Sequence, residues 1–363
     1  MRVLLGGGGS GGHVFPALAV ASRLREQIAE DLEVLYVGTE TGVEADLARE
    51  ANVPFASVSA RPVRGRNTLS QMWSVLAILQ GVRDAVRIIR RYRPNSALVT
   101  GGYASVPVGI AAKLTRTPLV LFQPDIEPGW AVRLLAHLAT RVCVTDARSL
   151  QRAPGRKSTA TGYPLRPVFD DLDRPMARAR FQFNGGPAVL IAGAVQGARR
   201  INDCIDRDLE EWLAVAQVIH VTGPADAQRM RDRREALPAA LQNRYQVFEY
   251  LGDELPIAMA ACDLAVSRAG ASVLGEYPAA QLPAVLVPLP AAGGHQRRNA
   301  EVLENSGAAV IVDDRDVSTR LLSVAQELLR DPDRLESMRR QAAAKARPDA
   351  TRKIAEVVWE VRR

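Results

Sequence analysis

The chain has 363 residues, of which 47% are hydrophobic and 24% charged, a balance that excludes a disordered protein and leaves room for two domains. Its net charge of +7 favours an anionic partner, whether phosphorylated small molecules, anionic lipid or nucleic acid. Cys143, Cys204 and Cys262 lack metal-ligand or redox spacing, no apolar run reaches the roughly 18 residues of a membrane span, and residues 1–5 are too short for a secretory core. A reducing compartment is therefore expected.

In chain order, strands at 2–5, 33–37, 97–100, 118–122 and 141–144 alternate with helices at 14–27, 42–51, 106–114 and 129–138. Strands separated by helices of this length imply βαβ units and a parallel sheet. A basic helical stretch ending near Tyr92 interrupts the alternation. Between Arg61 and Arg93 it carries eight arginines (61, 64, 66, 83, 87, 90, 91 and 93) against one acid, Asp84. Leu69, Met72, Trp73, Val75, Leu76, Ile78 and Leu79 lie within it. Either this is a surface resting on anionic lipid, or it is an amphipathic helix packed on its sheet. Without aromatic interleaving or a recognition motif, nucleic acid is not expected.

The pattern restarts at a strand over 187–192, with a helix from Arg199 and further strands at 217–222, 246–249, 264–267, 284–287 and 309–312. The extended segment Tyr163-Pro164-Leu165-Arg166-Pro167 marks the division. The expected organisation is an α/β chain of two Rossmann-like, doubly wound domains facing across a cleft, at 1–165 and 166–345, with a final helix over 346–363 returning to the first.

Three loops carry chemistry. Gly6-Gly7-Gly8-Gly9-Ser10-Gly11-Gly12-His13 joins the first strand to the first helix, where glycines admit an oxyanion and a helix N-terminus favours its charge. His13, opening that helix, is a candidate general base. Gly193-Ala194-Val195-Gln196-Gly197-Ala198-Arg199 repeats the arrangement in the second domain. Ser267-Arg268-Ala269-Gly270-Ala271-Ser272-Val273-Leu274-Gly275-Glu276 follows a strand and places Glu276 on the second turn of a helix, where its carboxylate would accept from both hydroxyls of a ribose. His295-Gln296-Arg297-Arg298-Asn299-Ala300 opens another helix. The first loop also satisfies GxGxxG, with Glu40 after the second strand, but an NAD(P) oxidoreductase leaves the second loop and Glu276 without a role.

Taken in order, the GGSGGH loop, Gly101-Gly102-Tyr103, the GAVQGAR loop, the SRAGA segment with Glu276 and the HQxxNA segment resemble the MurG family of peptidoglycan N-acetylglucosaminyltransferases over essentially the whole chain. The resemblance implies a GT-B fold and inverting transfer of GlcNAc from UDP-GlcNAc to the muramoyl 4-hydroxyl of lipid I, giving lipid II. It further implies a peripheral enzyme at the cytoplasmic face of the cell membrane, with no cofactor beyond the donor and no metal. Ser10, Gly11 and Gly12 would lie at the donor–acceptor junction beside His13, with Tyr103 on the acceptor side. Arg166, Val195, Gln196 and Gly197 would meet the donor, Leu251 would read uracil through its backbone, and Ala271, Ser272, Val273, Leu274, Gly275 and Glu276 would hold pyrophosphate and ribose. Gln296 would contact the GlcNAc hydroxyls, with Asn299 beside it.

Two departures bear on substrate identity. The family's HEQN segment reads Phe122-Gln123-Pro124-Asp125, which puts a carboxylate near the reacting sugar and makes Asp125 a second candidate base. Val195 replaces a serine and cannot donate a hydrogen bond. A related GT-B transferase with another sugar, or with a different lipid or small-molecule acceptor, is the alternative. The triplets at Asp171–Asp173, Asp206–Asp208, Asp314–Asp316 and Asp331–Asp333, which a metal-dependent transferase would draw on, read as turns or helix ends.

Overall fold

The computed structural model describes residues 1–9, 11–28, 31–40, 42–60, 68–183, 185–193, 197–290 and 294–363, with side chains omitted at 28 and 68–75. The chain divides into two compact units, Met1–Pro167 with Pro348–Arg363, and Val168–Arg347.

The first unit is built on seven parallel strands, β1 (Arg2–Gly6), β2 (Glu33–Gly38), β3 (Phe55–Ser57), β4 (Ser96–Val99), β5 (Leu119–Gln123), β6 (Arg141–Val144) and β7 (Ser158–Ala160), in the order β3-β2-β1-β4-β5-β6-β7. The central strands are apolar on both faces (Val3, Leu4, Leu5, Leu98, Val99 and Leu121 are all buried), as a parallel sheet covered by helices requires. The covering helices are α1 (Gly11–Ile28), α2 (Glu44–Glu50), α3 (Thr68–Tyr92), α4 (Ser105–Leu114) and α5 (Trp130–Leu138). Strands β3 and β7, three residues each and only partly buried, lie at the sheet edges and have no hydrophobic periodicity to announce them. The C-terminal helix Ala350–Glu360 packs on α1, and Thr351 Oγ1 is bonded to both the N–H and the carbonyl of Leu165 at 2.8 and 3.0 Å.

The second unit carries six parallel strands, β8 (Ala188–Ala192), β9 (Gln217–Val221), β10 (Tyr245–Phe248), β11 (Leu264–Ser267), β12 (Ala284–Leu286) and β13 (Ala309–Ile311), in the order β10-β9-β8-β11-β12-β13. Its core joins Ile191, Ile201, Trp212, Val266, Leu321 and Leu328. Strand order reverses between β1 and β4 in the first sheet and between β8 and β11 in the second. Loops leaving the carboxyl ends of adjacent strands diverge at such a point and leave a crevice. The three glycine-bearing loops that the sequence singled out leave the ends of β1, β8 and β11, the strands at these two points.

Candidate active site

In the first unit, α1 begins at Gly11, three residues earlier than the sequence suggested, so His13 sits in its first turn. The loop before it leaves no room for side chains: a Cβ on Gly7 would lie 2.3 Å from Thr100 Oγ1, and one on Gly8 2.1 Å from Glu44 Oε1. Thr100, at the end of β4, ties the two loops together, its hydroxyl donating to the His13 carbonyl at 2.5 Å. Its own carbonyl lies 2.9 Å from His13 Nδ1. A carbonyl can only accept, so Nδ1 carries the proton and the basic lone pair of the neutral imidazole is on Nε2. Gly101, at φ +101°, lies beside the ring, where an added Cβ would stand 3.1 Å from His13 Cε1. The Tyr103 ring lies against Gly9, and the Gly12 carbonyl accepts from Tyr163 Oη at 3.2 Å.

Phe122, where the family has histidine, is wholly buried and meets the Tyr163 ring edge-on at 5.9 Å. It packs the site and supplies no polar group. Asp125 is partly exposed on the loop between β5 and α5. Arg166 falls in the first unit, with its guanidinium 4.7 Å above the Phe15 ring of α1 and only 9% of its surface exposed.

One residue here was not singled out by sequence. Glu44 is completely buried beneath the first glycine loop, its Oε1 accepting from Thr39 Oγ1 at 3.0 Å while Oε2 has no hydrogen-bond partner among the described residues. Burial, reinforced by this carboxylate, holds the neighbouring Tyr36 phenol well above its ordinary range, and the phenol donates to the Gly7 carbonyl at 3.1 Å. The signal was available: an acid two residues past Gly42, at the start of a helix that follows a strand.

In the second unit, Gly197 adopts φ +79°, and a Cβ there would lie 2.1 Å from the Thr222 carbonyl at the end of β9. The helix after this loop, α6 (Arg199–Arg207), offers its N-terminal N–H groups at the switch point. Asn202 on α6 fixes the same carbonyl, its Nδ2 donating to Thr222 O at 2.9 Å and to Asp226 Oδ2 at 2.8 Å. Its Oδ1 therefore accepts from His220 Nε2 at 3.0 Å, and His220 Nδ1 accepts from Tyr245 Oη at 2.7 Å. Burial pushes the His220 imidazole from 6.5 down to about 3, a drop that nearby Asp226 opposes and Arg229 adds to.

That depression has a measurable consequence. The unfolded chain takes up this proton first, near pH 6.5. The stability linked to His220 is therefore complete above that pH and is lost as pH falls towards 3, with a slope of up to about 1.4 kcal/mol per pH unit. Urea midpoints should fall between pH 7 and 4, and His220→Gln should flatten that dependence; an unchanged slope would refute the assignment.

After β11, Ala271–Leu274 forms a 3-10 turn and Glu276 is the first residue of a four-residue helix, Glu276–Ala279, rather than lying on a second turn. Gly275, at φ −121° and ψ −47°, breaks the helix between them. Glu276 is buried with Ala271, Val273 and Leu274, whereas Ser272 is partly exposed. The Leu251 carbonyl accepts the Glu254 N–H at 2.8 Å and retains a second lone pair. Gln296, in the first turn of the helix His295–Glu304, accepts from the Leu289 N–H at 2.9 Å. Asn299, one turn on, is fully buried and donates to the Ala269 carbonyl at 3.1 Å, tying this helix to the β11 loop.

Ser10, Val195 and Gln196 lie outside the described residues, as do Arg61, Arg64 and Arg66 and the side chain of Trp73. Of the aspartate triplets, Asp173 and Asp331 cap helices, Asp206–Asp208 closes α6, and Asp314–Asp316 is a 3-10 turn.

Residues 3–144 match the glycosyltransferase family 28 N-terminal domain and residues 188–354 the family 28 C-terminal domain. A UDP-N-acetylglucosamine--N-acetylmuramyl-(pentapeptide) pyrophosphoryl-undecaprenol N-acetylglucosamine transferase of Roseiflexus sp. (strain RS-1) is 40% identical, over 98% of this chain and 94% of that protein. The enzyme of the same name from Moorella thermoacetica is 38% identical, over 99% and 98%. The crystal structure of Acinetobacter baumannii MurG superposes with a TM-score of 0.74 at 27% identity, covering 99% of each chain. With both family 28 domains in order and relatives this similar along nearly their full length, the chain belongs to the MurG family of GT-B glycosyltransferases.

Proposed function

We propose that this chain transfers GlcNAc from UDP-GlcNAc, with inversion, to the muramoyl 4-hydroxyl of lipid I, making lipid II for peptidoglycan. The reading is carried by the 40% identity, over 98% of the chain, to a relative whose name states that reaction. The two switch points divide the chemistry. In the first unit, His13 Nε2 takes the proton of the attacking hydroxyl, since the Thr100 carbonyl fixes the opposite tautomer proton. Tyr103 and Asp125 line the acceptor side, Asp125 as a polar contact and not as the base. In the second unit, the start of α6 and the 270–275 turn offset the charge that develops on the departing diphosphate. Glu276 accepts from the ribose hydroxyls, the Leu251 backbone meets uracil, and Gln296 contacts the sugar. Arg166 adds a cation to the diphosphate, and Ser10 to Gly12, Val195 to Gly197 and Asn299 complete or support the two loops. No cofactor beyond the donor takes part.

We infer peripheral binding at the cytoplasmic face of the membrane, a reading supported by the lipid-linked acceptor named for the relatives. Leu76 and Leu79 on α3 and Trp130 and Leu134 on α5 are 52%, 61%, 38% and 41% exposed, an apolar set on the unit that carries the basic segment. Among the described residues no helix is long and apolar enough to cross a membrane.

The test is UDP release from UDP-GlcNAc and from UDP-glucose, with a lipid I analogue either soluble or embedded in anionic vesicles. Expected are acceptor-dependent turnover with UDP-GlcNAc and a vesicle advantage that shrinks as salt rises. UDP binding without such turnover would move the activity to another sugar or acceptor, the change that Asp125 and Val195 would then explain.

A further inference from the structure

Asp314 opens the 3-10 turn just past β13, yet its side chain turns inward. It accepts from two arginines of distant segments: Arg268 Nη1 donates to Oδ1 at 2.6 Å and Arg200 Nη1 to Oδ2 at 3.1 Å. The Asp314 and Arg268 side chains are only 10% and 12% exposed, so salt screens their contact little. The neighbouring pair Arg297–Asp313, at 2.7 Å, is 44% and 47% exposed and contributes less.

Both arginines belong to elements at the second switch point. Arg268 is the first residue after β11, ahead of Gly270, and Arg200 is the second residue of α6. The ends of β11, β12 and β13 are stepped together by main-chain bonds. The Val287 N–H donates to the Ser267 carbonyl at 2.8 Å, and the Val312 N–H to the Leu286 carbonyl at 3.0 Å. Arg268 spans the same three strand ends, because Nη1 also donates to the Val287 carbonyl at 3.2 Å. Asp314 extends that connection to α6. Asn202 ties α6 to the end of β9, and Asn299 ties the Ala269 carbonyl to the helix His295–Glu304, but neither bond joins α6 to the β11 loop.

We propose that Asp314 is a positioning residue of the donor site: by holding Arg200 and Arg268 together, it sets the spacing between the start of α6 and the β11 loop so that both meet one diphosphate. It acts through the arginines and does not touch the donor, whose diphosphate its own charge repels. The inference rests on the reading of the second unit as the UDP-binding unit. Main-chain N–H groups bond phosphate oxygens at roughly 2.7–3.2 Å, so a shift of either segment by about 1 Å gives up part of that contact.

Charge and position make opposite predictions. Replacing the carboxylate by a neutral group leaves two arginines less compensated, and charge alone would then tighten the binding of an anion. Lost spacing would weaken it. Asp314→Asn keeps the shape and one acceptor oxygen, enough for one arginine, whereas Asp314→Ala keeps neither oxygen. Asp316→Asn is the control: it makes the same charge change on the same turn, where Asp316 faces exposed Arg315 at 3.7 Å.

Affinities for UDP, and for uridine by displacement of UDP, are measured on the wild-type chain and the three variants. Uridine presents the uracil and ribose without phosphate. UDP affinity should fall about five-fold in Asp314→Asn and about twenty-fold in Asp314→Ala, with uridine affinity unchanged and Asp316→Asn within about two-fold of wild type. Unchanged or tighter UDP binding in Asp314→Asn would overturn the proposal. So would equal losses of UDP and uridine affinity, the mark of a purely structural role. The asparagine variant, being of the same shape, carries the test if the alanine variant does not fold. UDP binding involves neither the sugar nor the acceptor, so the result stands if either of those is reassigned; a wild-type chain that does not bind UDP would overturn both readings.

Discussion

Gly102→Ala should reduce activity below about 1% and lower unfolding stability by roughly 2–4 kcal/mol. Gly102 sits at φ +77°, and a Cβ there would lie 1.9 Å from the carbonyl oxygen and 2.9 Å from the carbonyl carbon of Gly8. The obstacle is main chain and cannot swing aside as a flexible side chain would. Either the 101–103 turn or the first glycine loop must retreat, and both flank His13. The matched control is Gly129→Ala: Gly129 has φ −67° and nothing within 4 Å of its Cβ position, so this variant should keep near wild-type stability and turnover. Urea denaturation and UDP release on both proteins make the comparison, and equal behaviour of the two would discredit the packing described for this turn.

His13→Ala should lower kcat by about 10²–10⁴ with little change in UDP affinity, the loss typical of a removed general base. The assignment follows from the hydrogen bond at Nδ1, which leaves Nε2 as the proton acceptor. Asp125→Asn should act mainly on acceptor KM, because that residue lies on a loop held through its main-chain carbonyl. A pH–rate profile separates the roles: the limb reporting the base should vanish in His13→Ala and persist in Asp125→Asn. The opposite result would transfer the base to Asp125.

Much of the fold was legible in the sequence because a parallel sheet buries both faces of its strands. The runs at 141–144 and 264–267 coincide with β6 and β11, whose apolar residues pack under helices on either side. β3 and β7 escaped notice because each is three residues long with no buried residue, so neither leaves an apolar run, whereas the edge strands β10 and β13 each bury one residue. The helix placing Glu276 on a second turn was expected because small residues tolerate helix, but Gly275 adopts another conformation and the helix restarts. A local preference that weak is settled by its surroundings, here the buried Tyr277, whose hydroxyl donates to Ser267 Oγ at 2.7 Å.

The sequence by itself determined the two parallel sheets, the glycine-bearing turns and the family, since these depend on periodicity, on backbone freedom and on motifs kept in order. Only the tertiary structure decided which nitrogen of His13 is basic, that Phe122 packs and does not react, and that Glu44 stands behind the first site. Those properties arise between strands far apart in the chain: Thr100 reaches His13 across 87 residues and Tyr163 reaches Gly12 across 151. A hydrogen bond across such a separation leaves no periodic trace along the chain, because the burial and partner that fix a polar group exist only once the sheet has assembled.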